Sequence, residues 1–232
     1  MKNTYILPIL YAFSAIFAAY VLGAQIASWR VTDKTVQVRG AAELPVQADL
    51  ATWTLGVTGA DDDVVAAQGK VTADIARIKA YLVKAGVPEA DLENQNITVS
   101  DARANQYNQA VGPRFSVQGG VLVRTTKLEA IQKARQNLDK LVGQGVVLTS
   151  SWGPNFAFTR LNAFKPQLLS AATAEALKAA QQFATDSGAQ VGGIRRARQG
   201  NVEVLGRDEF AGESEQIHKR LRLVTTVEYD VR

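Results

Sequence analysis

Apolar residues recur with a period of two near both ends of the chain's polar part and with a helical period between. Val36 and Val38 alternate with Thr35, Gln37 and Arg39, and Trp53, Leu55 and Val57 alternate with Thr54, Gly56 and Thr58. This pattern predicts two half-buried strands, joined around Pro45. Asp61, Asp62 and Asp63 then precede Val64, Val71, Ile75, Ile78 and Leu82, spaced 7, 4, 3 and 4 apart. That spacing marks one face of a helix, which Gly86 and Pro88 stop. Ile97 and Val99 open a third strand, and a polar loop over 101–113 leads to a fourth in Phe115, Val117, Val121 and Val123. The Gly119-Gly120 pair inside it predicts a close neighbour, since glycine weakens a strand without one.

A second helix follows from Leu128, Ile131, Leu138 and Leu141, then a strand over 146–158 interrupted by Gly153 and Pro154. The longest helix is expected over 162–187, with Leu169, Ala176, Ala180 and Phe183 along one stripe and Gly188 just past its end. In the last strand Leu221, Leu223, Val227, Tyr229 and Val231 face one way, and Arg222, Thr226, Glu228 and Asp230 the other. The order β-β-α-β-β-α-β-α-β-β, rich in hairpins and poor in βαβ crossovers, predicts an α+β fold with largely antiparallel sheets and packed helices.

Residues 5–28 have a different character, since no charge falls between Lys2 and Arg30. Twenty-odd helical residues at ~1.5 Å each span roughly 30 Å, enough to cross a bilayer core. Tyr5 and Trp29 stand where interfacial aromatics would lie. Small-x-small cleavage candidates at Val21, Leu22 and Gly23 or at Gln25, Ile26 and Ala27 are poor, so the segment reads as an uncleaved transmembrane anchor. Residues 1–30 are thus expected to be an anchor and 31–232 one domain. Lys2 and the terminal amine oppose Arg30, Lys34 and Arg39, a charge count that slightly disfavours export of the domain.

Composition narrows the chemistry. The chain's 232 residues are 47% hydrophobic and 21% charged, values of a folding chain with room for one sizeable core. Its 26 basic and 22 acidic residues are interspersed, which leaves no electrostatic footprint for nucleic acid. With no cysteine, disulfides, thiol nucleophiles and thiolate metal sites are excluded.

The remaining candidates each have a plainer reading. His218 is the single histidine, beside Lys219 and Arg220, and reads as a strand-end residue. Asp61, Asp62 and Asp63 fit a helix start better than a calcium site, which wants six to eight oxygens. Arg195, Arg196 and Arg198 could meet anionic lipid or a partner carboxylate, but read first as a solvated strand end. Asn96-Ile97-Thr98 matches a glycosylation acceptor by coincidence. Glu203, Asp208, Glu209, Glu213 and Glu215 supply the paired carboxylates that glycosidases use, yet spacing in a loop does not make two converge. No catalytic, cofactor-binding or metal residue is therefore expected, and no cofactor.

With this order of elements the residues resemble the SIMPL-domain (DUF541) family, over about residues 34–232. Val36-Gln37-Val38-Arg39-Gly40, Pro45 and Asp49-Leu50-Ala51 are similar to the family's opening hairpin. Ala85-Gly86-Val87-Pro88 with Asp91-Leu92 and Ile97, Gln106-Tyr107, and the Ala-rich helix ending at Gly188 before Val191-Gly192 follow in the family's order. Paired prolines common in members are replaced by Leu44-Pro45-Val46. The resemblance implies a non-enzymatic envelope protein of a Gram-negative bacterium, linked to oxidative or envelope stress. It also implies a homo-oligomer, with ring-like or channel-like assemblies in some members. The domain would then lie in the periplasm, anchored in the inner membrane by the N-terminal helix. Two readings of other classes stay open: a binding module for a small ligand or membrane-protein partner, and a carboxylate-dependent hydrolase of an envelope polymer.

Overall fold

The structure, a computed structural model, describes residues 34–104, 112–208 and 210–232, with Phe17, Ala19 and Tyr20 from the N-terminal segment. These three are helical and exposed; the rest of the expected membrane helix lies outside the described residues. Among the described residues no helix is long and apolar enough to cross a membrane.

Strand β1 (Thr35–Gln47) is followed after two residues by β2 (Leu50–Asp61). They do not form the expected hairpin. β1 pairs antiparallel with β9 (His218–Val231) along its whole length, from Thr35 opposite Asp230 to Gln47 opposite His218. β2 instead lies between β5 (Phe115–Thr125) and β6 (Leu148–Ala157) in a second sheet. Pro45, expected at the joint, is inside β1 opposite Arg220. Proline is tolerated there because β1 is an edge strand, so its missing N–H costs no ladder bond.

The first sheet has the order β1-β9-β7, where β7 is Val191–Gln199, and β8 (Glu203–Gly206) pairs with β9 beyond the end of β7. The second sheet runs β3-β5-β2-β6, with β3 (Leu92–Asn94) and β4 (Thr98–Asp101) both on β5. All pairings are antiparallel, as the α+β reading predicts. β3 and β8 were not expected; three or four residues are too few to show an alternation.

Helix α1 (Val64–Ala85) covers the second sheet. Val71, Ile75, Ile78 and Leu82 are buried on it, as the spacing predicts, and each adds about 1.5–3 kcal/mol by leaving water. Buried Asp74 on the same helix is answered by the Arg77 guanidinium at 2.8 Å. The helix begins at Asp63, whose carboxylate accepts the Val65 N–H at 3.0 Å, and ends at Gly86 in the left-handed region. Its side chains meet the strand glycines: a Cβ on Gly119 would stand 2.9 Å from Val71 Cγ1. That is the close neighbour the Gly119-Gly120 pair implied.

The expected helix over Leu128 to Leu141 is split into α2 (Leu128–Gln136) and α3 (Asp139–Gly143). At the break the Asn137 amide donates to the Lys133 carbonyl at 2.8 Å, competing with the backbone ladder.

Helix α4 (Leu161–Asp186) covers the first sheet largely on the expected stripe: Ala176 and Ala180 are buried and Leu169 is half-buried, and only Phe183 departs from it. Leu168, Ala172, Ala176, Ala180 and Ala184 are buried, while Phe183 is 60% exposed. The helix lies close to β1: a Cβ on Gly40 would stand 1.9 Å from the Ala172 carbonyl oxygen and 2.4 Å from the Ala176 nitrogen. Only alanine fits between backbones that close. The first sheet's inward residues Leu221, Leu223, Val227 and Tyr229 complete this core, as the alternation in β9 predicts.

The two halves meet where the chain changes sheets. The N–H groups of Ala48 and Asp49 donate to the carbonyls of Ile217 and Ala157, at 2.8 and 2.9 Å. The Asp49 carboxylate accepts the Thr159 N–H at 2.9 Å and Arg160 Nε at 3.0 Å. Burial pushes this carboxyl up, but the Thr159 N–H and the Arg160 guanidinium outweigh it and hold it below the ordinary value of 3.8.

Two outcomes follow for stability. Gly40→Val should cost about 3 kcal/mol or more in urea unfolding, because neither backbone of the β1–α4 contact can give way to a side chain. For Asp49 the folded value lies below the unfolded one, so its contribution is complete above about 3.8 and is lost as the pH falls through the folded value. Asp49→Asn should cost about 1–2 kcal/mol at neutral pH and flatten the acid limb of stability, measured by urea unfolding across acidic pH. An unchanged acid limb would assign that limb to other carboxylates.

Candidate functional site

A cleft of about 860 Å³ opens at the junction just described. Four segments line it: Gln47, Ala48 and Asp49 between the sheets, Ala85 and Gly86 at the end of α1, residues 126–130 with Lys133 at the start of α2, and Thr159 with Arg160. The Thr125 hydroxyl accepts the Lys127 N–H at 3.1 Å and fixes the approach to α2. Arg160 is positioned by Asp49 and lies 5.9 Å from the centroid of the Phe158 ring. Asp49 is thereby committed to a structural role, and a carboxylate held low in pKa by such bonds is a poor proton acceptor at neutral pH.

The residues singled out in the sequence do not gather at this cleft. His218 is exposed at the first position of β9, opposite Gln47. Asp63 caps α1, Asp61 accepts the Asp63 N–H, and Asp62 accepts the Arg114 N–H at 3.0 Å. The helix-start reading of this run therefore holds. Arg196 and Arg198 lie on the open face of the first sheet, around Gln37, Thr226 and Glu228. Arg195 sits in β7 at a bulge between Ile194 and Arg196. Asn96, Ile97 and Thr98 are exposed where the chain passes from β3 to β4.

The acidic segment before β9 is held by structural bonds. Glu203 is in β8 opposite Arg222. The Glu213 carboxylate and its own carbonyl both accept from the ammonium of Lys219, a side chain with no exposure. The Gln216 amide closes the loop onto the Asp208 and Ala211 carbonyls, at 3.0 and 2.8 Å. Glu215 is in a short 3₁₀ turn, and Glu209 lies outside the described residues. Among the described residues no group of three or more His, Asp or Glu could hold a metal.

The loop expected over 101–113 is described only at its ends, where Arg114 grips Asp101 at 3.0 Å. That bond, with the Arg103 N–H, holds the Asp101 carboxyl below its ordinary value. Sequence reasoning missed Asp49, Arg160 and buried Lys219 as structural anchors. The available signal was an Asp beside a two-residue passage between strands, and a Lys at an inward position of β9.

Both sheets present unpaired strand sides among the described residues: β1, β7 and β8, which pair only with β9, β3 and β4, which pair only with β5, and β6, which pairs only with β2. β1 carries Arg39, Glu43 and Pro45, which blunt an edge. β6, with the sequence LTSSWGPNFA, carries no charge, and its Trp152 is 74% exposed. Ser150, Ser151 and Trp152 form its regular stretch, between two register shifts.

Comparison with curated proteins gives no match. Two solved structures, each described as a hydrolase from Listeria innocua, are 15% identical to this chain, covering 82% of it and 91% of theirs. Their TM-scores of 0.21 and 0.19 are too low to carry an argument about fold or activity. The sequence matches the SIMPL family, described as a protein of unknown function (DUF541), over residues 36–220, from the second residue of β1 to the third of β9. That span covers the second sheet, every helix of the domain and the first sheet except most of β9, and the chain belongs to the SIMPL family.

Proposed function

We propose that this is a non-catalytic envelope protein, anchored by its N-terminal segment in the inner membrane, whose periplasmic domain self-associates and supports envelope integrity under oxidative or other stress. The observation that carries the self-association is the edge of β6. An uncharged strand paired on one side offers backbone N–H and C=O groups to another chain, and an exposed tryptophan beside them supplies apolar area. Support for the non-catalytic part comes from the carboxylates: Asp49, Asp63 and Glu213 each serve a cap or an ion pair that holds the fold together. The anchor rests on the uncharged run over 5–28.

Full-length protein in mild detergent should sediment or elute well above the 25.0 kDa of one chain plus its micelle. Trp152→Glu should shift it toward the single chain without lowering its melting temperature, because the side chain is largely exposed. A wild-type protein that stays monomeric at every concentration would remove self-association from this reading.

A further inference from the structure

The cleft at the sheet junction has a donor-rich lining that the fold does not use up. Lys127 and Lys133 reach it from the start and second turn of α2, and Arg160 reaches it from the opposite wall, at the β6–α4 joint. Asp49 engages only Nε of Arg160, and the Arg160 side chain remains 66% exposed, so its terminal nitrogens keep donors to offer. Among the described residues neither lysine ammonium has a carboxylate within ion-pair distance. Gln47 and Thr126 also line it, while the Thr159 hydroxyl is bonded to Asp49. On the acidic side stand Glu129, which is exposed, and Asp49, whose charge is matched by Arg160.

We infer that this cleft binds a small polyanion, a molecule bearing a phosphate or several carboxylates. Its volume is that of small-molecule sites, and far exceeds what one ordered ion would need. The anion is received by the terminal nitrogens of Arg160, whose planar fork suits two oxygens at once, and by the mobile point charges of Lys127 and Lys133. Three cations, two at the start of α2 and one at the β6–α4 joint, favour a ligand with at least two negative charges over a monoanion. The site is complete within one chain, so it stands whether or not chains self-associate.

Calorimetric titration of the full-length protein in mild detergent tests this, with inorganic pyrophosphate and citrate as separate probes. Saturable binding of one equivalent, weakening as salt rises, is the expected result for at least one probe. Lys127→Gln with Lys133→Gln should weaken it about tenfold or more. Lys178→Gln, on the far part of α4 and paired with Glu175, should leave it unchanged. Binding of pyrophosphate alone would assign the ligand to the phosphate class, and of citrate alone to the carboxylate class. No saturable binding, or equal weakening in the Lys178 variant, would mean an adventitious ion only and would overturn the site. Both cleft lysines are exposed, so the variants should melt with the wild type. If the double variant melts early, Lys133→Gln alone gives the same reading.

Discussion

Two residues, Ala48 and Asp49, carry the chain from one sheet into the other, and the domain is arranged around holding that passage still. Both of their N–H groups and the Asp49 carboxylate are bonded, to groups on either side of the junction. A change of sheet leaves backbone groups without ladder partners, and a buried unpaired one is costly. Asp49 solves this by accepting from the chain that is about to start α4, so one side chain ties the exit of β1, the end of β6 and the entry of α4. The two cores, α1 on the second sheet and α4 on the first, are fixed relative to each other there.

Strand and helix periods were legible because they are local. β9 shows its two faces in sequence, α1 shows its stripe, and both fold as they read. Partners were not legible. Pro45 looks like a turn because proline in a strand is tolerated only at an edge, and being an edge is a property of the whole sheet. The α4 stripe read correctly except at Phe183, while the approach of the helix to Gly40, which selects small residues, is not visible in the helix's own sequence. The split between α2 and α3 turns on one Asn137 side chain, which no period reveals. The cleft draws residues from four separated segments, none of which forms a motif.

The charged groups divide into two populations. Asp49, Asp74, Glu213 and Lys219 are spent on the interior or on closing loops, where an unpaired charge would be expensive. Lys127, Lys133 and the far side of Arg160 remain turned to the solvent of the cleft. The uncharged β6 lies on the second sheet's rim, with the turn holding Glu213 beside it and its last residue bonded to Asp49. The proposed association would draw on Trp152 of β6 and the proposed anion site on Lys127, Lys133 and Arg160 of the cleft.

The unbroken ladder between β1 and β9 has a consequence in time as well as in space. β1 is the first strand of the domain and β9 the last, so the first sheet cannot close until nearly the whole domain has been made. Contacts that distant in sequence form slowly, because the loop entropy must be met before any of the ladder is gained. The second sheet, with α1 and more local pairings, has no such delay. Until β9 arrives, β1 presents Val36, Val38, Leu44 and Val46 with no partner, a segment prone to wrong pairing while the chain is young. The charges and the proline that blunt β1 in the finished fold also protect it during that wait.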